Sequence, residues 1–125
     1  MTSTIRVDNV APSAGGTSRS LVRGTAAAWV NFNGTGTIAP RDSENVSSLT
    51  DNGTGDYTVN FSNAFGAADY AVSFGGGTAA QNGPNLNVES LVVGSFNGIF
   101  RRFSAGSKSS YDYDILTSSI YGDLA

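Results

Sequence analysis

Histidine and cysteine are both absent from the 125-residue chain, and the two absences remove most of the usual catalytic repertoire. Without an imidazole there is no common general base, and without either residue Ser-His-Asp and Cys-His mechanisms are excluded. No disulfide, thiolate metal site or cysteine nucleophile exists, and the redox compartment stays open. Charge is scarce as well: 14% of residues are ionisable and the formal net charge is -3. No run richer in cations than Arg101-Arg102 offers a counterion-release handle, so nucleic acid is not expected as a partner. Long apolar runs are missing: no segment approaches the roughly 20 residues of a spanning helix. The opening Met-Thr-Ser-Thr-Ile-Arg lacks the basic-then-apolar order of a secretory signal, and cytoplasmic synthesis without membrane insertion is the expectation. Large apolar residues are few, since Leu 6, Ile 5, Val 10 and Phe 7 make 28 of 125, or 22%. Such a chain suits one domain with little core to spare, for which association with further copies adds stability by mass action.

What fills the remainder is Gly, Ser, Thr and Asn, the composition of strands and reversals. Asp51-Asn52-Gly53-Thr54-Gly55-Asp56 states a turn, and Tyr57, Val59 and Phe61 then alternate with Thr58, Asn60 and Ser62 as a half-buried strand does. Residues 46–50 form its antiparallel partner. Ala28, Val30 and Phe32 share one face of a further strand and Trp29, Asn31 and Asn33 the other, ending in the Gly34 and Gly36 reversal. Tyr70, Val72 and Phe74 repeat the order of Tyr57, Val59 and Phe61, as two strands facing one core would. Further strands are predicted over residues 86–93, 99–104 and 111–121. Loops are predicted over residues 37–45, 75–84 and 105–110, and a turn at Phe96-Asn97-Gly98. No window carries a helical period. The predicted fold is all-β: a small antiparallel β-sandwich, jelly-roll-like in one variant, of six or seven strands over residues 26–125, preceded by an extended N-terminal segment over residues 1–25 that is expected to lie against another body, sister chains included.

Candidate chemistry is sparse. The carboxylate pairs Asp42 with Glu44 and Asp112 with Asp114 stand at i and i+2, on one face if extended, as a glycoside hydrolase's acid pair requires; polar loops produce such pairs routinely, and no catalytic residue is assigned. The oxygen-rich Asp51–Asp56 stretch fails the EF-hand pattern because glycine holds its third and fifth places, so neither a metal nor another cofactor is expected. Trp29 fits packing under a neighbouring loop or subunit better than sugar stacking. Phe96, Phe100 and Phe103 with Arg101 and Arg102, followed by Tyr111 and Tyr113, form the densest mixture of aromatic and cationic groups. Phe96, Asn97, Arg101, Arg102, Tyr111 and Tyr113 are therefore the receptor-binding candidates, with the two arginines predicted on opposite faces of their strand.

Ala28-Trp29-Val30-Asn31-Phe32-Asn33-Gly34-Thr35-Gly36, Arg41-Asp42-Ser43, Asn45-Val46-Ser47-Ser48 and Asp51-Asn52-Gly53-Thr54-Gly55-Asp56-Tyr57-Thr58-Val59-Asn60-Phe61 together resemble a β-sandwich module at the C-terminal ends of bacteriophage tail fibres and tail spikes. The likeness is best over residues 26–74, with Thr4-Ile5-Arg6-Val7-Asp8 and Ile120-Tyr121-Gly122-Asp123 resembling its flanks; Pro40 and Glu44 depart from the pattern. The resemblance implies a virion structural protein of the tail: a homotrimer, bound to other tail proteins, that adheres to a host surface glycan or protein without being an enzyme. A passive trimerisation or capping module without its own receptor is one alternative, and a tail-associated polysaccharide hydrolase is another. The shared motifs are turns and core strands, which specify a fold better than a ligand.

Overall fold

The strand at Ala28–Asn33 (β3) buries every second residue against an opposing sheet: Ala28, Val30 and Phe32 are enclosed while Trp29, Asn31 and Asn33 are half-buried on the outer face. The computed structural model describes residues 2–11, 14–77 and 85–125 of the chain. Two short strands, Asn9–Val10 (β1) and Arg19–Ser20 (β2), pair with each other ahead of β3, and one helical turn, Leu21–Gly24 (α1), follows with the Arg23 N–H donating to Ser20 Oγ at 3.3 Å. Residues 2–9 are exposed, as a lead-in with few apolar side chains would be.

Ala39–Glu44 (β4), Val46–Gly53 (β5), Asp56–Phe61 (β6), Ala71–Gly77 (β7), Asn85–Val92 (β8), Ser95–Ser104 (β9), Ser107–Ser110 (β10) and Ile115–Tyr121 (β11) complete the strands. They make two antiparallel sheets packed face to face. One runs β4-β3-β11-β7. In the other, β9 is the spine: β8 lines one edge, while β6 pairs with residues 95–99 and β10 with residues 101–104 along the opposite edge, and β5 lies outside β6. The all-β sandwich is as the sequence implied.

Aromatic rings supply the volume that the scarce aliphatic residues do not. Among the described residues thirteen apolar side chains are buried in the core, and eight of them are aromatic. Phe61 lies among them, edge-on to Phe65 and Tyr70 with ring centroids 4.9 and 5.6 Å apart and tilted to Phe96 at 6.3 Å, and edge-on contacts add ~1 kcal/mol each beyond area burial. Tyr57, Val59 and Phe61 face inward as their alternation requires. The Tyr70, Val72, Phe74 face also turns inward, but β7 is an edge strand and Phe74 stays 42% exposed at the end of the sandwich while its ring touches Phe100 at 6.1 Å.

Several expectations give way. Residues 39–44 form a strand instead of part of a loop; Pro40 is compatible because β4 lies at a sheet edge, where a missing N–H breaks no ladder. A bulge between Asn31 and Phe32 brings Arg41 over β3, and its guanidinium donates to Asn31 Oδ1 at 3.3 Å, the Phe32 carbonyl at 3.1 Å and the Asp114 carbonyl at 2.6 Å. Phe96-Asn97-Gly98 lies within β9; the reversal is at Val93-Gly94, and the Tyr70 hydroxyl braces it from the carbonyls of Val92 and Ser95 at 3.0 and 2.7 Å. The polar stretch 105–110 holds a tight turn and β10, not a loop; Ala105 and Gly106 both have positive φ, 50° and 78°, which a two-residue hairpin of matching twist demands. Of the predicted loop 75–84, residues 75–77 belong to β7 and residues 78–84 lie outside the described residues.

The two sheets are tied at a corner the sequence did not flag. Asn45, at φ 55°, sits between β4 of one sheet and β5 of the other. Its amide nitrogen donates to the carbonyls of Ala27 and Asn63 at 3.2 and 3.1 Å, and its Oδ1 accepts from the Asn63 N–H at 2.7 Å. Ser118 is the buried polar residue of the core, and its Oγ has no partner among the described residues. A buried unpaired hydroxyl costs about 1–3 kcal/mol, so Ser118→Ala is expected to leave stability unchanged or raise it by up to ~1 kcal/mol in chemical denaturation. A loss of 2 kcal/mol or more would show that the hydroxyl is satisfied.

Candidate functional site

Two turns of the same composition converge on one carboxylate. In Asn33-Gly34-Thr35-Gly36 the Asn33 side chain accepts from the Thr35 N–H at 3.0 Å, and in the Asp51 turn the Asp51 side chain accepts from the Gly53 N–H at 3.0 Å. Both are Asx-type reversals. Gly34 of the first and Gly55 of the second then meet the segment between β10 and β11. Asp112 Oδ1 accepts from the Gly55 N–H at 2.6 Å and from the Tyr57 hydroxyl at 2.7 Å; that hydroxyl also lies 2.7 Å from the Gly34 carbonyl. The Gly34 N–H donates to the Tyr113 carbonyl at 2.8 Å.

Gly55 stands where three backbones crowd. β6 ends and the tail of β10 begins along the same edge of β9, so the Gly55 carbonyl accepts from Phe100 at 2.7 Å while the Phe100 carbonyl accepts from Tyr111 at 3.1 Å. A Cβ on Gly55 would lie 2.5 Å from the Phe100 oxygen and 2.8 Å from the Tyr111 nitrogen, at a φ of +69°. Gly53, by contrast, has φ +135° but open space around it.

The six sequence-level candidates separate. Phe96 and Tyr113 are 2% and 0% exposed; they are core side chains, which corrects their assignment to a receptor surface. Asn97 lies on the outer face of β9, where its amide is spent on Asp56 Oδ1 at 2.7 Å and the Tyr57 carbonyl at 3.1 Å. Arg101 and Arg102 face opposite sides as predicted. Arg101 turns outward toward Glu89, 3.9 Å away. Arg102 turns inward at the end of the sandwich, its guanidinium 4.3 Å from the centroid of the Tyr111 ring, and Tyr111 meets Tyr113 edge-on at 4.9 Å. The structure thus brings together Arg102, Tyr111 and Tyr113, while Phe96 sits six residues along β9, roughly 20 Å away at strand spacing.

Of the carboxylate pairs, Asp112 is committed to the Gly55 and Tyr57 donors, and Asp42 accepts from the Ser43 N–H at 2.9 Å. In the stretch weighed for calcium, Asp56 is held by the amides of Asn52 and Asn97 at 3.2 and 2.7 Å, and no group of three acidic residues fit for a metal occurs among the described residues. Trp29 is half-buried on the outer face of its sheet, level with Glu44 on β4 and Ser119 on β11. A groove of about 460 Å³ lies beside Arg23, Asp69, Tyr121 and Asp123; its cation is paired, Arg23 to Asp123 at 2.8 Å, and the hydrogen bond that Arg23 donates to Asp123 raises the Arg23 pKa.

Sequence reasoning missed the role of Asp112 and the presence of Ser109, which lies across the ladder from Arg102. The repeated Asn-Gly-Thr-Gly was the available signal for the former, because two turns needing glycine at close approach imply something for them to approach. Burial pushes the Tyr70 hydroxyl up to about 12, and burial, reinforced by the hydrogen bond to Asp112, raises Tyr57 further above its ordinary value. Above the ordinary tyrosine value of 10.0 the unfolded chain has released protons that the folded chain retains, so stability falls as pH rises. The melting temperature is expected to drop from about pH 10 upward, with Tyr57→Phe and Tyr70→Phe each flattening the slope. An unchanged slope in both variants would contradict the burial. Gly55→Ala is expected to cost more than Gly53→Ala, by ~1 kcal/mol or more, since it adds backbone collision to left-handed strain; equal melting temperatures would remove the crowding at Gly55.

Comparison with protein-family models, with curated proteins and with solved structures finds no match to this chain, so the likeness to tail-fibre modules rests on the motif residues alone.

Proposed function

We propose that this chain is a non-enzymatic β-sandwich subunit at the tip of a bacteriophage tail fibre or spike, a virion structural protein that adheres reversibly to a glycan on the host surface. The observation that carries the reading is the hairpin of β9 and β10. It places Arg101, Arg102, Phe103, Lys108 and, just beyond, Tyr111 at one end of the sandwich, with Phe103 49% exposed and Lys108 5.7 Å from its ring centroid. Aromatic faces against sugar C–H surfaces and polar hydrogens aimed at hydroxyls are what glycan recognition uses. The engagement of Asp112 with Gly55 and Tyr57 gives that carboxylate a structural task and weighs against the hydrolase alternative.

Assembly into a homotrimer belongs to the same proposal. Val88, Val92 and Val93 on and beside the edge strand β8 are 43–49% exposed, apolar area that association would cover. Three weak sites on one body raise avidity by ~10²-fold when geometry lets them engage together. The test pairs light scattering of the purified chain with an array of bacterial surface glycans and an assay for shortened polysaccharide. A mass of three chains with glycan binding and no shortening is expected. A monomeric mass would overturn the assembly, absence of binding to any glycan would return the chain to a passive cap, and released oligosaccharides would make it a hydrolase.

A further inference from the structure

The cations of the body are mostly accounted for by the protein itself. Arg23 has Asp123, Arg101 has Glu89 and Arg41 has two carbonyls with Asn31. Arg102 differs. Its guanidinium is stacked on Tyr111, its Nε is buried, and it meets neither a hydrogen-bond acceptor nor a carboxylate among the described residues. The side chain as a whole keeps part of its surface open to solvent. A guanidinium lying over a ring that is itself braced edge-on by the buried Tyr113 has lost part of its freedom before any ligand arrives.

A second observation concerns charge. Residues 95–110 carry Arg101, Arg102 and Lys108, three of the chain's 7 Lys and Arg residues, and no Asp or Glu, in a molecule of net charge -3. With Arg101 offset by Glu89 on β8, Arg102 and Lys108 leave the hairpin cationic against an acidic whole, which favours an anion at this end of the sandwich. The third concerns hydroxyls: β10 reads Ser-Lys-Ser-Ser, all four exposed, and Ser109 is the ladder partner of Arg102. An oxyanion alone would need only the cations, whereas a serine-rich strand beside them suits a ligand that also carries hydroxyl groups.

We infer that Arg102, on its Tyr111 platform and beside Ser109, is the subsite for the carboxylate of an acidic sugar. The inference rests on the adhesion reading and adds the chemical class of ligand to it. A planar carboxylate matches the guanidinium fork, and the sugar ring brings a hydroxyl for Ser109, which shares the Arg102 face of the hairpin.

The test is NMR titration of the isotopically labelled full chain with an oligogalacturonate, with its carboxyl-reduced neutral counterpart, and with inorganic phosphate, reading the Arg102 Nε–H and Ser109 N–H signals. The acidic oligosaccharide is expected to move both signals and to bind more tightly than the other two probes. Arg102→Ala should weaken it roughly ten- to hundredfold and Arg102→Lys by less, because charge survives without the fork. Lys108→Ala, which removes the same charge from the same hairpin, serves as the control and should weaken it least. Should Arg102→Ala fail to fold, the comparison of Arg102→Lys with Lys108→Ala carries the test. Equal losses in Arg102→Ala and Lys108→Ala would overturn the subsite in favour of diffuse attraction, and phosphate binding as tightly as the oligosaccharide would overturn the sugar. Neutral glycans binding elsewhere on the chain would overturn this subsite and leave adhesion standing, whereas no binding to any glycan on the array removes adhesion itself.

Discussion

The carboxylate of Asp112 is the fastening on which the arrangement of this protein depends. It receives a backbone N–H from one turn and a buried phenol from the strand that follows it, and that phenol reaches a carbonyl in the turn of the opposite sheet. One side chain therefore fixes the end of β6, the end of β3 and the crossing segment between β10 and β11 relative to one another. Charge-assisted hydrogen bonds are shorter and stronger than neutral ones, and here they are placed where glycine leaves room for them. The Asn45 corner does corresponding work at the other seam, where a single amide spans the change of sheet.

Between these two fastenings the core is one hydrophobic cluster in which aromatic rings predominate. Phe32 and Tyr57 meet edge-on at 5.3 Å across the sheets, and Phe65 lies 4.5 Å from Tyr70. Rings fill large volumes with few rotatable bonds, so a chain in which Leu, Ile, Val and Phe make up 28 of 125 residues still encloses an interior. The tyrosines serve twice, since Tyr57 and Tyr70 bury their rings while their hydroxyls bind backbone carbonyls in turns. Packing and turn geometry are joined in the same residues.

Which parts of this were legible in the sequence follows from the range of the forces involved. Period-two alternation is local, so Ala28-Val30-Phe32 and Tyr57-Val59-Phe61 were readable as inward faces, and the hairpin of β5 and β6 was readable with its turn. Strand β4 was not, because Pro40, Arg41, Asp42 and Glu44 carry no apolar period; an edge strand needs only one ladder and buries little. The turn expected at Phe96-Asn97-Gly98 failed for the opposite reason. Gly98 lies where the Leu86 side chain packs to within 2.6 Å of where a Cβ would stand, a close approach that resembles a turn signal on paper. In the candidate site, the opposite facing of Arg101 and Arg102 was legible from parity, whereas the burial of Phe96 and Tyr113 depended on which face met the second sheet. The partner of Asp112 lies 55 residues away in Tyr57, beyond any pattern of neighbours.

The β9–β10 hairpin joins a rigid root to an unencumbered tip. At the root, Gly55, Phe100 and Tyr111 are locked backbone to backbone, while at the tip a Cβ added to Gly106 would touch nothing within 4 Å. An insertion at Ala105-Gly106 meets no packed neighbour, although the positive φ of both residues restricts which side chains fit the present turn. The length of this hairpin is free to vary while the sandwich beneath keeps its packing.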